Sequence, residues 1–245
     1  MNLKGYIFWV FVFLLWPRCL YSQQISLLEY YGEIGTGIGT STYLGQIGGE
    51  KKSYRTNFNF LYRKLLTDKL GVRINYEYIP LGANDSLSYY TEIYNRGFKF
   101  YRTFHEINFL LEYFFYDIRY LSTRNHLIPY IGIGMGYMLN EPTNDNNFIR
   151  YTTIQQITQD QFWPICTIPI NIGLSFRLTN NINIYSEFIY RYTTSGLIDG
   201  FDSSSPVTTK NGTYTTYNNG HDRFFSLKFG ITKTLLKKFG PDKLK

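Results

Sequence analysis

Leu70-Gly71-Val72-Arg73-Ile74-Asn75-Tyr76-Glu77-Tyr78 alternates without a break. Leu70, Val72, Ile74, Tyr76 and Tyr78 share one face, and Gly71, Arg73, Asn75 and Glu77 share the other. Successive side chains of an extended chain point to opposite sides, so a period of two predicts a strand with one apolar and one polar surface.

Seven further stretches carry the same pattern. Leu28, Tyr30, Ile34 and Ile38 oppose Glu29, Glu33, Gly35, Gly37, Gly39 and Ser41; Tyr54, Phe58, Phe60 and Tyr62 oppose Arg55, Asn57, Asn59 and Arg63. Ile107, Phe109, Leu111 and Tyr113 oppose Glu106, Asn108 and Glu112, and Ile131, Ile133, Met135 and Tyr137 alternate with Gly132, Gly134 and Gly136. The last three center on Ile168–Phe176 against Asn171, Gly173 and Arg177, on Ile182–Tyr192 against Glu187 and Arg191, and on Phe225–Ile231 against Ser226 and Lys228.

The connections alternate in length. Those near 45–53, 81–97, 139–163 and 194–221 are long, while 66–69, about 116–126 and 178–181 are shorter. Long loops at one end and tight turns at the other predict an all-β fold: an eight-stranded antiparallel transmembrane β-barrel with short periplasmic turns and long extracellular loops. A soluble β-sandwich accommodates eight alternating segments, but not strands this long with every long loop at one end. An even strand number puts both termini in the periplasm. Tyrosines at segment ends suit the edges of the hydrocarbon layer, and outer-membrane lipid is the expected solvent.

The expected inward faces carry Glu29, Glu33, Glu77, Glu106, Glu112 and Glu187 with Arg55, Arg63, Arg73, Arg177, Arg191 and Lys228. The lumen of so small a barrel is filled by side chains, so these charges are expected to satisfy one another as a network rather than line a pore. The balance of signs also opposes an ion-selective channel.

Residues 1–22 read as a signal peptide: Lys4, an apolar run Tyr6–Trp16, and Ser22 before the cut, with residues 23–235 as the barrel and 236–245 as a lysine-rich tail. Pro17 and Arg18 before Cys19 oppose lipid attachment. Removing Lys4 and Arg18 lowers the formal charge from +7 to +5, and the scattered bases of an exported chain do not suggest nucleic acid. Cys166 is then the remaining cysteine and reads as a wall residue. The mean hydropathy of −0.24 is compatible with strands of which alternate residues face lipid.

No catalytic, cofactor or metal constellation emerges. Gly35-Thr36-Gly37-Ile38-Gly39 and Gly132-Ile133-Gly134-Met135-Gly136 lack the strand-to-helix context of a phosphate loop, and make room instead for long inward side chains. His105, His126 and His221 are too widely spaced for a metal site. Ser226, near His221-Asp222, falls on the inward face where lipid does not reach, so an enzyme is not expected.

Several motifs in order resemble the PorG-like outer-membrane barrels of the Bacteroidetes type IX secretion system. They are Glu33-Ile34-Gly35 through Ser41-Thr42-Tyr43-Leu44-Gly45; Arg55 with Phe60-Leu61-Tyr62-Arg63; Asn95-Arg96-Gly97-Phe98; and Glu106-Ile107 with Leu111-Glu112-Tyr113-Phe114. Pro129-Tyr130-Ile131-Gly132-Ile133-Gly134, Ile168-Pro169 with Gly173, and Glu187 with Arg191, Thr194, Leu197 and Asp199 complete the set. Ser195 stands where the pattern calls for an acidic residue, and the chain runs on past the last strand to Lys245 instead of ending on an aromatic. The resemblance implies a non-enzymatic component of the secretion machinery that associates with a periplasmic PorK/PorN ring. The alternative is an orphan small barrel with a structural or extracellular ligand-binding role. For a ring partner the expected surface is Thr67–Lys69, 117–126, Thr179–Asn181 and the termini, above all Lys237, Lys238, Lys243 and Lys245.

Overall fold

A computed structural model describes residues 28–45, 47–48, 52–116, 127–141, 164–179, 181–196, 198–199, 206–209, 212–215 and 221–238. The chain divides into two compact units, residues 30–237 and the two chain ends together. Only the first is taken up below; the signal-peptide expectation lies outside the described residues.

Its strands are β1 (Leu28–Tyr43), β2 (Arg55–Leu65), β3 (Leu70–Asn84), β4 (Lys99–Phe114), β5 (Leu127–Asn140), β6 (Pro164–Arg177), β7 (Ile182–Thr193), the short β8 (Pro206–Thr209) and β9 (Gly212–Thr215), and β10 (Arg223–Lys238). Eight of them close an antiparallel barrel in the order β1-β10-β7-β6-β5-β4-β3-β2, and β8 and β9 form a separate hairpin. Closure pairs every strand on both edges, which leaves no open ladder to meet lipid.

The register puts one polarity on each side of the wall. Ile34 faces Tyr62 and Ile38 faces Phe58 outside, while Glu33 faces Arg63 and Gly37 faces Asn59 inside. Ile74, Ile107, Phe109, Ile133, Ile172 and Phe229 are exposed outward. Arg73, Asn75, Glu77, Glu106, Glu112 and Lys228 are fully buried inward. An apolar outside around a polar inside is the geometry of a membrane-spanning barrel. No helix among the described residues is long and apolar enough to cross a membrane.

Two tight turns at one end are built alike. Leu66 and Thr67 donate to the Leu70 carbonyl at 2.8 and 3.1 Å, and Leu178 and Thr179 to that of Ile182 at 2.9 and 3.0 Å. The Thr67 hydroxyl accepts from Leu70 N at 2.9 Å and the Thr179 hydroxyl from Ile182 N at 3.1 Å. A threonine that captures backbone N–H groups in this way stops a strand and reverses it.

The other end is more structured than alternation predicts. β3 runs to Asn84 and β4 starts at Lys99, so the expected 81–97 loop narrows to 85–98. It holds a 3-10 turn (Asp85–Leu87) and a short helix, α1 (Thr91–Arg96). Asp85, fully buried, staples it. Its carboxylate accepts from Arg96 at 2.7 and 2.9 Å, from Phe98 N at 3.0 Å and from Gly48 N, in the preceding connection, at 2.8 Å. Gly97 ends α1 at φ 71°, the left-handed conformation glycine adopts without strain. The expected 194–221 loop contains the β8–β9 hairpin. β10 runs through Lys238, and residues 239–245 lie outside the described residues.

The interior is layered. At the turn end Leu65, Phe114, Ile128 and Tyr130 pack together. At the loop end a larger apolar group includes Tyr43, Ile79, Phe98, Phe104, Met138 and Phe224. The charges lie between these two plugs.

Candidate functional site

Nine buried charges form two connected tiers in the lumen. In the tier nearer the turns, Arg63 bridges Glu33 at 2.9 Å and Glu112 at 2.6 Å, and Arg73 bridges Glu112 at 3.2 Å and Glu187 at 2.6 Å. In the other, Arg191 bridges Glu77 at 2.5 Å and Glu106 at 2.8 Å, and Lys228 pairs with Glu77. Amides and hydroxyls fill in: Asn171 donates to Glu187 at 2.7 Å, Asn183 to Glu33 at 2.8 Å, and Arg191 to Ser226 at 3.0 Å. Guanidinium faces also meet the apolar plugs, Arg63 over Phe114 and Tyr130 at 5.3 and 5.1 Å and Arg191 over Phe224 at 5.2 Å. A desolvated charge is tolerated only with such partners.

Among the inward glycines, Gly37 and Gly173 clear space for tyrosine and asparagine, while Gly39 and Gly134 face a neighbouring strand's backbone carbonyl. A Cβ on Gly173 would stand 2.2 Å from Cζ of Tyr130, whose hydroxyl donates to Glu187 at 3.0 Å. A Cβ on Gly37 would meet the Tyr185 hydroxyl at 2.4 Å and Asn59 at 2.6 Å.

Of the twelve charges expected inside, Glu33, Arg63, Arg73, Glu77, Glu106, Glu112, Glu187, Arg191 and Lys228 are brought together. The Glu29 side chain is not among those described. Arg177 has the inward register, opposite Asn183, but lies half-buried near the turns. Glu187 is held by Arg73, Tyr130 and Asn171. Arg55 departs from the expectation: it is exposed, its guanidinium 4.8 Å from the ring centroid of Tyr101. Tyr101 belongs to the outer face of β4, where its neighbours Phe100 and Phe104 point inward. Arg55 opens β2 at the rim, next to the loop-end apolar plug, so its charge turns outward over Tyr101 rather than into the plug. Lys243 and Lys245 lie outside the described residues.

A second polar cluster escaped sequence reading. The Tyr43 hydroxyl lies 2.8 Å from Asp199 and 2.6 Å from Asp222, both carboxyls buried. Burial pushes the Asp222 carboxyl above the usual aspartate range, although hydrogen bonds from Tyr43 and from the backbone of Ile198 pull the other way. The residues lie 156 and 179 positions from Tyr43, and no local spacing marks them.

The arrangement is built to fill the lumen. No group of three His, Cys, Asp or Glu residues among the described ones could hold a metal ion. Ser226 is fully buried, bonded to Ser41 and Arg191. Cys166 is exposed on the outer face of β6.

Three solved structures are similar to the chain. Neisserial surface protein A is 11% identical with a TM-score of 0.47, over 86% of this chain and 98% of its own. The N-terminal β-barrel domain of Pseudomonas aeruginosa OprF is 10% identical, TM-score 0.44, over 84% and 100%. Ail, the attachment invasion locus protein of Yersinia pestis, solved with the heparin analogue sucrose octasulfate, is 13% identical, TM-score 0.41, over 84% and 99%. No curated protein matches the sequence. One family model does, the domain of unknown function DUF6089, over residues 7–240, and the chain belongs to that family.

Proposed function

We propose that this protein is a non-enzymatic outer-membrane component of the type IX protein secretion system, associating with the periplasmic ring of PorK and PorN. One observation carries the reading. The residues of the sequence resemblance, scattered from Glu33 to Asp199, are one another's partners: Glu33 with Arg63, Arg63 with Glu112, Arg191 with Glu106, and Tyr43 with Asp199. The Asn95-Arg96-Gly97-Phe98 motif is the segment that grips Asp85. That the matched residues meet in the barrel interior supports the reading over chance alternation.

With its lumen filled, such a barrel acts in secretion through its outer surfaces. In this orientation the turn end faces the periplasm and the loop end the exterior. The ring partner then meets Thr67–Lys69, residues 117–126, Thr179–Asn181 or the tail. The test is co-purification of ring proteins from detergent-solubilised outer membranes, with the intact chain and with residues 239–245 deleted. Capture by the intact chain supports the reading; an inserted barrel that never retains ring proteins overturns it. If the truncated barrel inserts normally and still captures the ring, the contact lies at the turns.

A second reading, a barrel that binds a ligand through its loops, is favoured by the exposed Tyr89, Tyr90 and Tyr94 on the segment stapled by Asp85. Solvent-facing rings on a rigid tip form a contact surface.

A further inference from the structure

We propose that the turn end of the barrel is held in an anionic phospholipid leaflet by a collar of basic side chains that acids do not balance. The inference uses the membrane orientation proposed above, not the role in secretion. Charge is divided unevenly along the barrel axis. The strand ends and connections of the loop end, residues 45–55, 81–105, 139–165 and 193–223, carry nine acids against nine bases. The nine lumen charges are five acids and four bases. Those of the turn end, residues 64–70, 114–128, 177–182 and 233–237, carry two acids, Asp68 and Asp117, against seven bases. The positive excess of residues 30–237 therefore belongs to one end.

The bases are spread around that end. Lys64 lies on β2, Lys233 on β10, and the half-buried Arg177 closes β6. β2 and β6 are four places apart in the ring of eight strands, and β10 is midway between them. On the fourth side the β4–β5 connection contains Arg119 and Arg124. A protein docked against one flank meets a quarter of this collar, whereas a leaflet surrounds the barrel and meets all of it.

Height selects the headgroup layer. On the outer face of β2 the exposed Phe58 and Phe60 lead to Lys64, and on β10 Leu227, Phe229 and Ile231 lead to Lys233. Each lysine stands where the apolar belt ends, so its stem can lie along the belt while the ammonium reaches the phosphates. Lys69, in the β2–β3 turn, is exposed as well. None of the three is in an ion pair among the described residues. An uncompensated base is drawn to an anionic leaflet within about a Debye length, roughly 8 Å at physiological salt.

The test is electron paramagnetic resonance of the full barrel in phosphatidylcholine vesicles, with spin-labelled phosphatidylglycerol or phosphatidylcholine as the probe. At low salt the wild type is expected to prefer phosphatidylglycerol about 2-fold or more, and about 1 M salt should bring the ratio close to one. K64Q/K233Q is expected to lose most of the preference. K52Q/K99Q, which removes two lysines of the loop end, is expected to keep it. A wild-type ratio of one, or a preference that survives high salt, overturns the proposal, and so do equal losses in the two variants. If K64Q/K233Q keeps the lipid preference but no longer retains ring proteins, the collar is a protein contact and the leaflet is not its partner. Boiling-dependent gel mobility checks folding of each variant. K69E, confined to an exposed turn, decides the matter if K64Q/K233Q fails to fold: a weakened preference supports the collar, and an unchanged one overturns it.

Discussion

Arg73 on β3 and Glu187 on β7 meet at 2.6 Å across the full width of the lumen. Each is four places from the other in the ring of eight strands, whichever way one counts. Arg191 and Glu77 span the same two strands at 2.5 Å in the tier above. Contacts between opposite walls leave no through-path, and they tie together strands that share no backbone hydrogen bond.

Breaking this link should be costly. Glu187→Ala leaves Arg73 buried with one carboxylate fewer, a loss of about 3–5 kcal/mol. The urea midpoint in detergent should fall markedly, while Lys69→Ala, in an exposed turn, should leave it within experimental scatter. Equal midpoints for the two variants would remove the lumen network from the account of stability.

The closed interior predicts electrical silence. In planar bilayers the refolded barrel should give no stepwise conductance, and liposomes that contain it should not swell in small sugars. Stable unit currents would mean that the two tiers separate in the membrane.

Gly173→Val tests the packing beneath Tyr130. The new side chain enters the ring position, so Tyr130 must swing away from Glu187. Overpacking of this kind costs about 1–3 kcal/mol. Tyr130→Leu removes the obstructing ring, and the double variant should be less destabilised than the two single losses added together. Simple additivity in urea melts would show that the two residues do not share the space.

Asp85→Ala should free one end without disturbing the barrel. The carboxylate joins Gly48, Arg96 and Phe98. Its loss should open residues 85–98 to protease while the boiling-dependent mobility of the barrel is kept. Resistance equal to wild type would place the ordering elsewhere.

The Tyr43–Asp199–Asp222 trio predicts a pH effect with a definite sign. Because the folded Asp222 carboxyl is raised, the folded state binds its proton more tightly than the unfolded chain does. That contribution is complete below the ordinary aspartate value and is lost as pH rises through the raised one. Wild-type stability measured against Asp222→Asn should therefore decline as pH climbs across that window. A difference that is flat with pH, or that grows, would refute the raised Asp222 carboxyl.

Local pattern was enough for the wall. The alternation of Leu70–Tyr78 appears in the structure with Ile74 and Tyr76 outside and Arg73, Asn75 and Glu77 inside. A one-residue slip would exchange the two sets, so this register is strongly specified. Alternation was less informative where a strand leaves the membrane. Pro80-Leu81-Gly82-Ala83 does not read as strand, yet β3 continues through it because it pairs with β4. Arg55 shares the inward period but sits where a turned-out side chain reaches Tyr101, so its parity misleads.

The sequence by itself therefore determined the eight wall strands, the face that nearly all of their residues show and the positions of the tight turns, because a period of two and a threonine in a turn act within a few residues. Tertiary structure alone decided which charges are partners, where the apolar plugs close the lumen and how Tyr43 finds Asp199 and Asp222. Those relations depend on the circumference and stagger of the closed sheet, which bring Arg73 to Glu187 across 114 residues of chain. No local pattern encodes a contact between opposite walls.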